Sequence, residues 1–136
     1  MTQEEKDLLL KDLCARLPYG VKLKITLYED MNEVDGIGTV YQLNSQSVWV
    51  LEDENERCIE YNKPYLFPMS NMTEEQKREY DKIIYRSIEL HHREYSDIVE
   101  IDLFDNLQEF YHKNHFDYRG LIPMGLANDA TGLNIY

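Results

Sequence analysis

Val21-Lys22-Leu23-Lys24-Ile25-Thr26-Leu27-Tyr28 decides the fold class. Val21, Leu23, Ile25 and Leu27 alternate with Lys22, Lys24, Thr26 and Tyr28, and a period of two is the signature of a strand with one face buried and one in water. Downstream, Gly36 to Leu51 contains no charged residue in a chain that is 29% charged. Left exposed, Val40, Tyr41, Val48, Trp49 and Val50 would invite aggregation, so this run reads as the centre of a sheet. The expected strands are 21–28, Ile37 to Leu43, Ser47 to Leu51 and Arg57 to Tyr61. An acidic loop from Glu29 to Gly36 and turns at Asn44-Ser45-Gln46 and Asp53 to Glu56 join them. Four short strands with tight turns suggest a curled antiparallel meander or small barrel.

Working outward, the period on either side is helical. Thr2 with Glu5 forms a capping box, in which each side chain satisfies a backbone donor at the helix start. The helix runs to about Leu17, with Leu10, Leu13, Cys14 and Leu17 on its apolar face, and Pro18-Tyr19-Gly20 ends it. After the strands, Lys63-Pro64-Tyr65-Leu66-Phe67-Pro68 cannot be helical, because the prolines hold themselves and the residues before them extended. Its large side chains predict an ordered strap over a core. Thr73 and Gln76 open a second helix, expected to reach Tyr95 with Tyr80, Ile84, Ile88, His91 and Tyr95 on one face. Ser96 to Asp102 fits either a strand or a helical continuation. A third helix, about Leu103 to Asn114, carries Leu103, Phe104, Leu107, Phe110 and Tyr111. The tail from His115 to Tyr136 is apolar enough to pack, and its last residues are expected to fray. The fold class is therefore α+β: an N-terminal helix (1–20), a small curled antiparallel sheet or barrel with its strap (21–72), and a C-terminal helical part (73–136). At 136 residues these parts are expected to form one unit.

Charge limits the partners. The chain carries 26 acidic and 14 basic residues, a formal net charge of -12. That argues against direct nucleic-acid binding, which needs basic surface to displace counterions. It argues equally against an anionic membrane surface, and no run of apolar residues is long enough to span a bilayer. Residues 21–72 hold four basic against nine acidic side chains, and 96–136 hold two against seven, so these segments carry the excess. Helix two alone keeps a weak basic stripe, Lys77, Arg78, Lys82 and Arg86. Met1 to Lys11 reads as an acidic helix rather than a signal peptide. Cys14 and Cys58, in different elements, read as buried, reduced thiols of a cytoplasmic protein.

Chemistry is sparse. Glu89 with His92 and Glu109 with His112 form two E-x-x-H pairs, with His115 one turn further. Residues three apart share a helix face, so each pair can offer a carboxylate and an imidazole to a metal. Doubled, this is the pattern of di-metal four-helix bundles, whereas this chain offers three helices and a sheet. The plainer expectation places His112 and His115 at a helix end, where a cation complements the dipole. No cofactor is expected. Asp117-Tyr118-Arg119 reads as a local ion pair fixing a turn. Gly36 and Gly38 lack the following helix that a phosphate site needs, and Glu29, Asp30, Glu33 and Asp35 lack the ligand spacing of a calcium loop. Eleven tyrosines remain. Tyr41, Trp49, Tyr65 and Phe67 are the candidate protein-binding residues, since aromatics with a polar handle favour interfaces.

Three stretches carry a resemblance: 13–21 with Arg16-Leu17-Pro18-Tyr19-Gly20-Val21, 63–75 with Lys63-Pro64-Tyr65-Leu66-Phe67-Pro68-Met69, and Asn114-His115-Phe116-Asp117-Tyr118-Arg119-Gly120-Leu121-Ile122. They resemble a group of small uncharacterised proteins encoded in bacterial prophages and other mobile elements. The resemblance implies origin on a mobile element, a place in the bacterial cytoplasm and a non-enzymatic accessory role. Three functions are thus carried forward. The first is a protein-binding module, free to self-associate. The second is an acidic inhibitor that occupies the basic groove of a nucleic-acid-binding defence protein. The third is a metal-dependent enzyme using Glu89, His92, Glu109 and His112.

Overall fold

The computed structural model describes residues 1–60, 62–92 and 96–136, with side chains for all of these except 90–92 and 96–101. Helix α1 (Gln3–Arg16) leads through a 3-10 turn (Leu17–Tyr19) into strands β1 (Lys22–Glu29), β2 (Asn32–Leu43), β3 (Val48–Glu52) and β4 (Asn55–Ile59). The strap holds β5 (Tyr65–Leu66). Helices α2 (Glu74–His92) and α3 (Ser96–Lys113) follow, and β6 (Asn128–Asp129) lies in the tail. The architecture is α+β. The four-stranded sheet has the order β1-β2-β3-β4, all antiparallel, and β4 does not pair with β1, so it is not a barrel.

The expected acidic loop 29–36 is mostly strand. Asp30 and Met31, both at positive φ, make a two-residue turn, and Glu29 pairs directly with Asn32. Such a turn matches the twist of the strands it joins. Val34, Gly36, Gly38 and Val40 face inward, and Glu33, Asp35, Ile37 and Thr39 outward. Alternation was hidden because two of the inward positions are glycine. Gly38 is required there, because a Cβ on it would lie 2.8 Å from Val50 Cβ, whereas one on Gly36 would lie 2.7 Å from Leu27 Cδ1, the end of a side chain that can turn aside. Tyr41 is an extra residue in β2, since Val40 pairs with Val50 and Gln42 with Trp49. This bulge returns Leu43 to the inner face and bends the strand.

The inner face packs on α1. Leu9, Leu13, Val21, Leu23, Ile25, Val40, Val48 and Val50 are all buried in this core. The buried face of α1 is Leu9, Asp12, Leu13 and Arg16, one position off the expected Leu10, Leu13, Cys14 and Leu17. Two charged residues occupy apolar-phase positions, and that concealed the true face. Cys14 is consequently exposed, as is Cys58, and both are free thiols.

A second cluster holds Leu66 against Leu121, Leu126 and Ala127, with Leu8 and Ile122 beside it. The strap runs between two parts of the tail. Asn128 N–H donates to Pro64 O and Ala130 N–H to Leu66 O, while Phe67 N–H donates to His115 O and Asp117 N–H to Phe67 O, all at 2.8 Å. Both capping boxes form. Segment 96–102 continues as helix, so α3 is longer than expected. Helices α2 and α3 pack chiefly on each other, tied by Arg86 to Asp102 and Lys113 to Glu79. Phe110 and Ser87 are buried, whereas Ile88 and Phe104, placed on the expected faces, are exposed. The far end of this hairpin lacks a further layer among the described residues. No described helix is long and apolar enough to cross a membrane.

Candidate functional site: the open sheet face and a buried polar cluster

The outer face of the sheet is formed by the residues that α1 does not cover. Trp49 lies opposite Cys58 on one side and Gln42 on the other, and Leu51 lies between Thr39 and Glu56. Tyr41 stands beside them, pushed out by the bulge. Tyr41 and Leu51 are each 40% exposed, and Trp49 is half-buried among its strand neighbours. Partial desolvation raises the Tyr41 phenol above its ordinary pKa, helped by the nearby Glu56 carboxylate and Cys58 thiol. Those three side chains therefore share one surface. Ile37 and Thr39 continue it towards β1. The margin is acidic. Lys24 pairs with Asp35 at 3.0 Å and Arg57 with Glu52 at 2.9 Å, leaving Asp53, Glu54, Glu56 and Glu60 without an ion pair among the described residues.

Tyr65 and Phe67 lie elsewhere. Both are half-buried in the strap, where Tyr65 O accepts from Tyr136 Oη and the Phe67 ring is 5.9 Å from that of Tyr136. Phe67 also lines a shallow hollow of about 200 Å³ with Phe116, Asn71 and Gln76. The four expected binding aromatics thus divide between two surfaces.

Stretches 13–21 and 114–122 meet, with Asp12, at a buried polar cluster. Asp12 and Arg16 are both fully buried. Arg16 Nε donates to Asp12 Oδ2 at 2.8 Å and Arg16 Nη2 to Phe116 O at 2.6 Å. Arg119 Nε reaches the other oxygen, Asp12 Oδ1, at 3.0 Å. Arg119 thus pairs with Asp12, not with its neighbour Asp117, whose carboxylate instead accepts from Leu121 N–H and Ile122 N–H. The Tyr118 ring lies under both guanidinium groups, 4.8 Å from Arg119 Cζ and 5.4 Å from Arg16 Cζ, and stacks on Tyr111.

His112 and His115 are buried here, not at the surface. The tail folds back over the end of α3, which periodicity within α3 does not reveal. His112 Nε2 lies 2.8 Å from Tyr118 Oη, which donates to Gln108 Oε1 at 3.0 Å. Burial, then the Arg16 charge, lowers His112 to about 4. Burial, Arg16 and Lys22 lower His115 to about 4. Burial raises Tyr118. A base this weak beside a phenol this reluctant transfers protons poorly at neutral pH, where an effective acid–base pair has pKa values near the working pH. The pair holds the tail against α3.

The last residue is anchored, contrary to the expected fraying. The Tyr136 ring stacks on His115 with centroids 3.5 Å apart. Its hydroxyl accepts from Lys22 N–H and donates to Tyr65 O, each at 2.8 Å. That enclosure of the hydroxyl raises its pKa to about 12, although 39% of the residue stays accessible.

Of the candidate metal ligands, Glu89 and Glu109 are exposed, and His112 Nε2 is taken by Tyr118. The His92 side chain, like those of His91 and Tyr95, lies outside the described residues. Among the described residues no three His, Cys, Asp or Glu side chains gather as a metal site. Sequence reasoning missed Asp12, Arg16, Leu51, Cys58 and Tyr136. An Asp-x-x-x-Arg pair in phase with Leu9 and Leu13 was the available signal for the first two. No family model, no curated protein and no solved structure matches the chain.

Proposed function

We propose that the chain is a non-enzymatic protein-binding module that meets its partner through the outer face of the four-stranded sheet, with Trp49, Tyr41 and Leu51 at the centre. One observation carries this. The inner face is covered by α1, whereas no described element covers the outer one, which nonetheless bears a tryptophan, a tyrosine, a leucine and a thiol. Aromatic residues inside a polar rim are the usual composition of an interface centre. The resemblance of residues 13–21, 63–75 and 114–122 supports an accessory role on a bacterial mobile element, acting in the cytoplasm. The unpaired acids beside the face favour a basic partner. That keeps the second reading, an acidic inhibitor of a basic nucleic-acid groove, within the same surface.

A photoreactive residue at Leu51 in the full chain tests the proposal. Trp49→Ser with Tyr41→Ser should lower the urea midpoint while leaving the chain folded, and lower capture of the cross-linked protein at least tenfold. Capture that survives both substitutions would move the contact away from this face. Capture that weakens with added salt favours the basic partner.

A further inference from the structure

The proposed face ends at a free margin, and that margin narrows the chemistry of the partner. Strand β4 is the last in its sheet, and all of it except Ile59 is exposed. The opposite margin is partly covered, because Lys24 N–H donates to Lys63 O and Leu23 bridges to Pro64. In a two-residue hairpin the residues flanking the turn exchange both backbone hydrogen bonds, and such pairs then alternate along the ladder. Glu52–Asn55, Val50–Arg57 and Val48–Ile59 are therefore the bonded pairs of this register. The backbone N–H and C=O of Glu56 and Cys58 point the other way, towards the open edge. The same two residues carry their side chains on the outer face, beside Leu51 and Trp49.

We propose that a basic, extended segment of the partner adds to this sheet as a fifth strand along β4, bonding the backbone of Glu56 and Cys58. The inference deepens the proposed function and rests on it. Charge complementarity selects the occupant. Asp53, Glu54, Glu56 and Glu60 flank or belong to the strand and form no ion pair among the described residues, and Arg57, the cation among them, is engaged by Glu52. A Lys or Arg on the incoming strand meets Glu56, and an apolar residue two positions along meets Cys58 with Trp49 behind it. A second copy of this chain fits worse. Two-fold antiparallel pairing of β4 with itself sets Arg57 against Arg57 and brings Asp53 and Glu54 towards Glu60. Like charges placed opposite one another across strands are destabilising.

The test uses the full chain, isotopically labelled, and a short Lys-Val peptide, blocked at both ends, in which Lys and Val take turns at every second position with Thr between them, so that both face the same side of the strand. The amide signals of Glu56 and Cys58 should shift on titration and exchange more slowly, with a change in Trp49 emission. The same peptide with Glu in place of Lys should bind at least tenfold more weakly, as should the Lys-Val peptide N-methylated at alternate residues, and as should the Lys-Val peptide on Glu56→Lys. A shift of Trp49 and Tyr41 with Glu56 and Cys58 amides unmoved would overturn strand addition while leaving the face as contact surface. Equal binding of the N-methylated or the acidic peptide would also overturn it, as would complete lack of binding. Shifts of the β4 amides with protein concentration alone would assign the edge to a second copy instead. The Leu51 cross-link judges the proposed function separately from all of these.

Discussion

Arg16 is the largest fully buried side chain described in the protein, and its environment shows how one residue joins distant parts of the chain. Of its contacts in the polar cluster, Phe116 and Tyr118 come from the tail, and Asp12 sits one turn back on α1. Asp12 is held by two guanidinium groups, whereas Arg16 Nη1 and His115 Nδ1 have no hydrogen-bond partner among the described residues. Removing one member of a buried ion pair strands the other, at about 3–5 kcal/mol. Asp12→Ala strands two cations, while Arg16→Met leaves Asp12 still paired with Arg119. Urea unfolding should therefore show the larger loss for Asp12→Ala, about 3–5 kcal/mol, and a smaller one for Arg16→Met. A reversed order would mean that Arg119 does not hold Asp12 in solution. Gly38 acts through the absence of a side chain. Gly38→Ala should destabilise by about 1–3 kcal/mol through overpacking against Val50. Combined with Val50→Ala it should cost less than the sum of the two changes, because Val50→Ala removes the Cγ2 that would also lie 2.8 Å from the added methyl.

At the scale of elements, the β1–β2 hairpin is longer than its hydrophobic pattern suggests, since a two-residue turn replaces an eight-residue loop. Met31 is fully exposed with φ 67°. A side chain in the left-handed region is strained, and glycine is not. Met31→Gly should raise stability by about 0.5–1 kcal/mol in thermal unfolding, with the sheet register unchanged. A loss of stability would show that the turn is held some other way. Segment 96–102 became helix although Ile98, Val99 and Ile101 suit a strand. Intrinsic strand preference is weak beside tertiary context. The strap behaved as its prolines require, yet its tail partners, His115 and Asp117 on one side and Asn128 and Ala130 on the other, are distant in the chain.

For the whole molecule, the tail closes over α3, and this makes stability sensitive to acid. His112 and His115 titrate at about 4 in the fold and near 6.5 when unfolded. Between those values the unfolded chain binds more protons than the folded one. The stability these residues carry is fully present above about pH 6.5 and is lost as pH falls towards 4. The urea midpoint should drop from pH 7 to pH 5, and the double variant His112→Gln with His115→Gln should show a clearly smaller drop. An equal drop in both proteins would assign the acid sensitivity to carboxylates alone.

The sequence by itself determined the class of each large element. Alternation in 21–28, the uncharged run to Leu51, the capping boxes at Thr2 and Thr73, and the prolines of the strap are local features, and local sterics and hydrogen bonding act on them directly. It also determined that acidity is concentrated around the sheet and tail. Only the tertiary structure decided which faces are buried. The inward phase of α1 is carried partly by Asp12 and Arg16, whose charges look solvent-exposed until Phe116 and Arg119, far along the chain, help to satisfy them. The outward phase of the sheet holds Trp49 and Tyr41, which look like core until the open strand order leaves them uncovered. Periodicity reports that a face exists. Whether another layer reaches it depends on chain connections that no local pattern encodes, and for this protein that is the difference between a core and a binding surface.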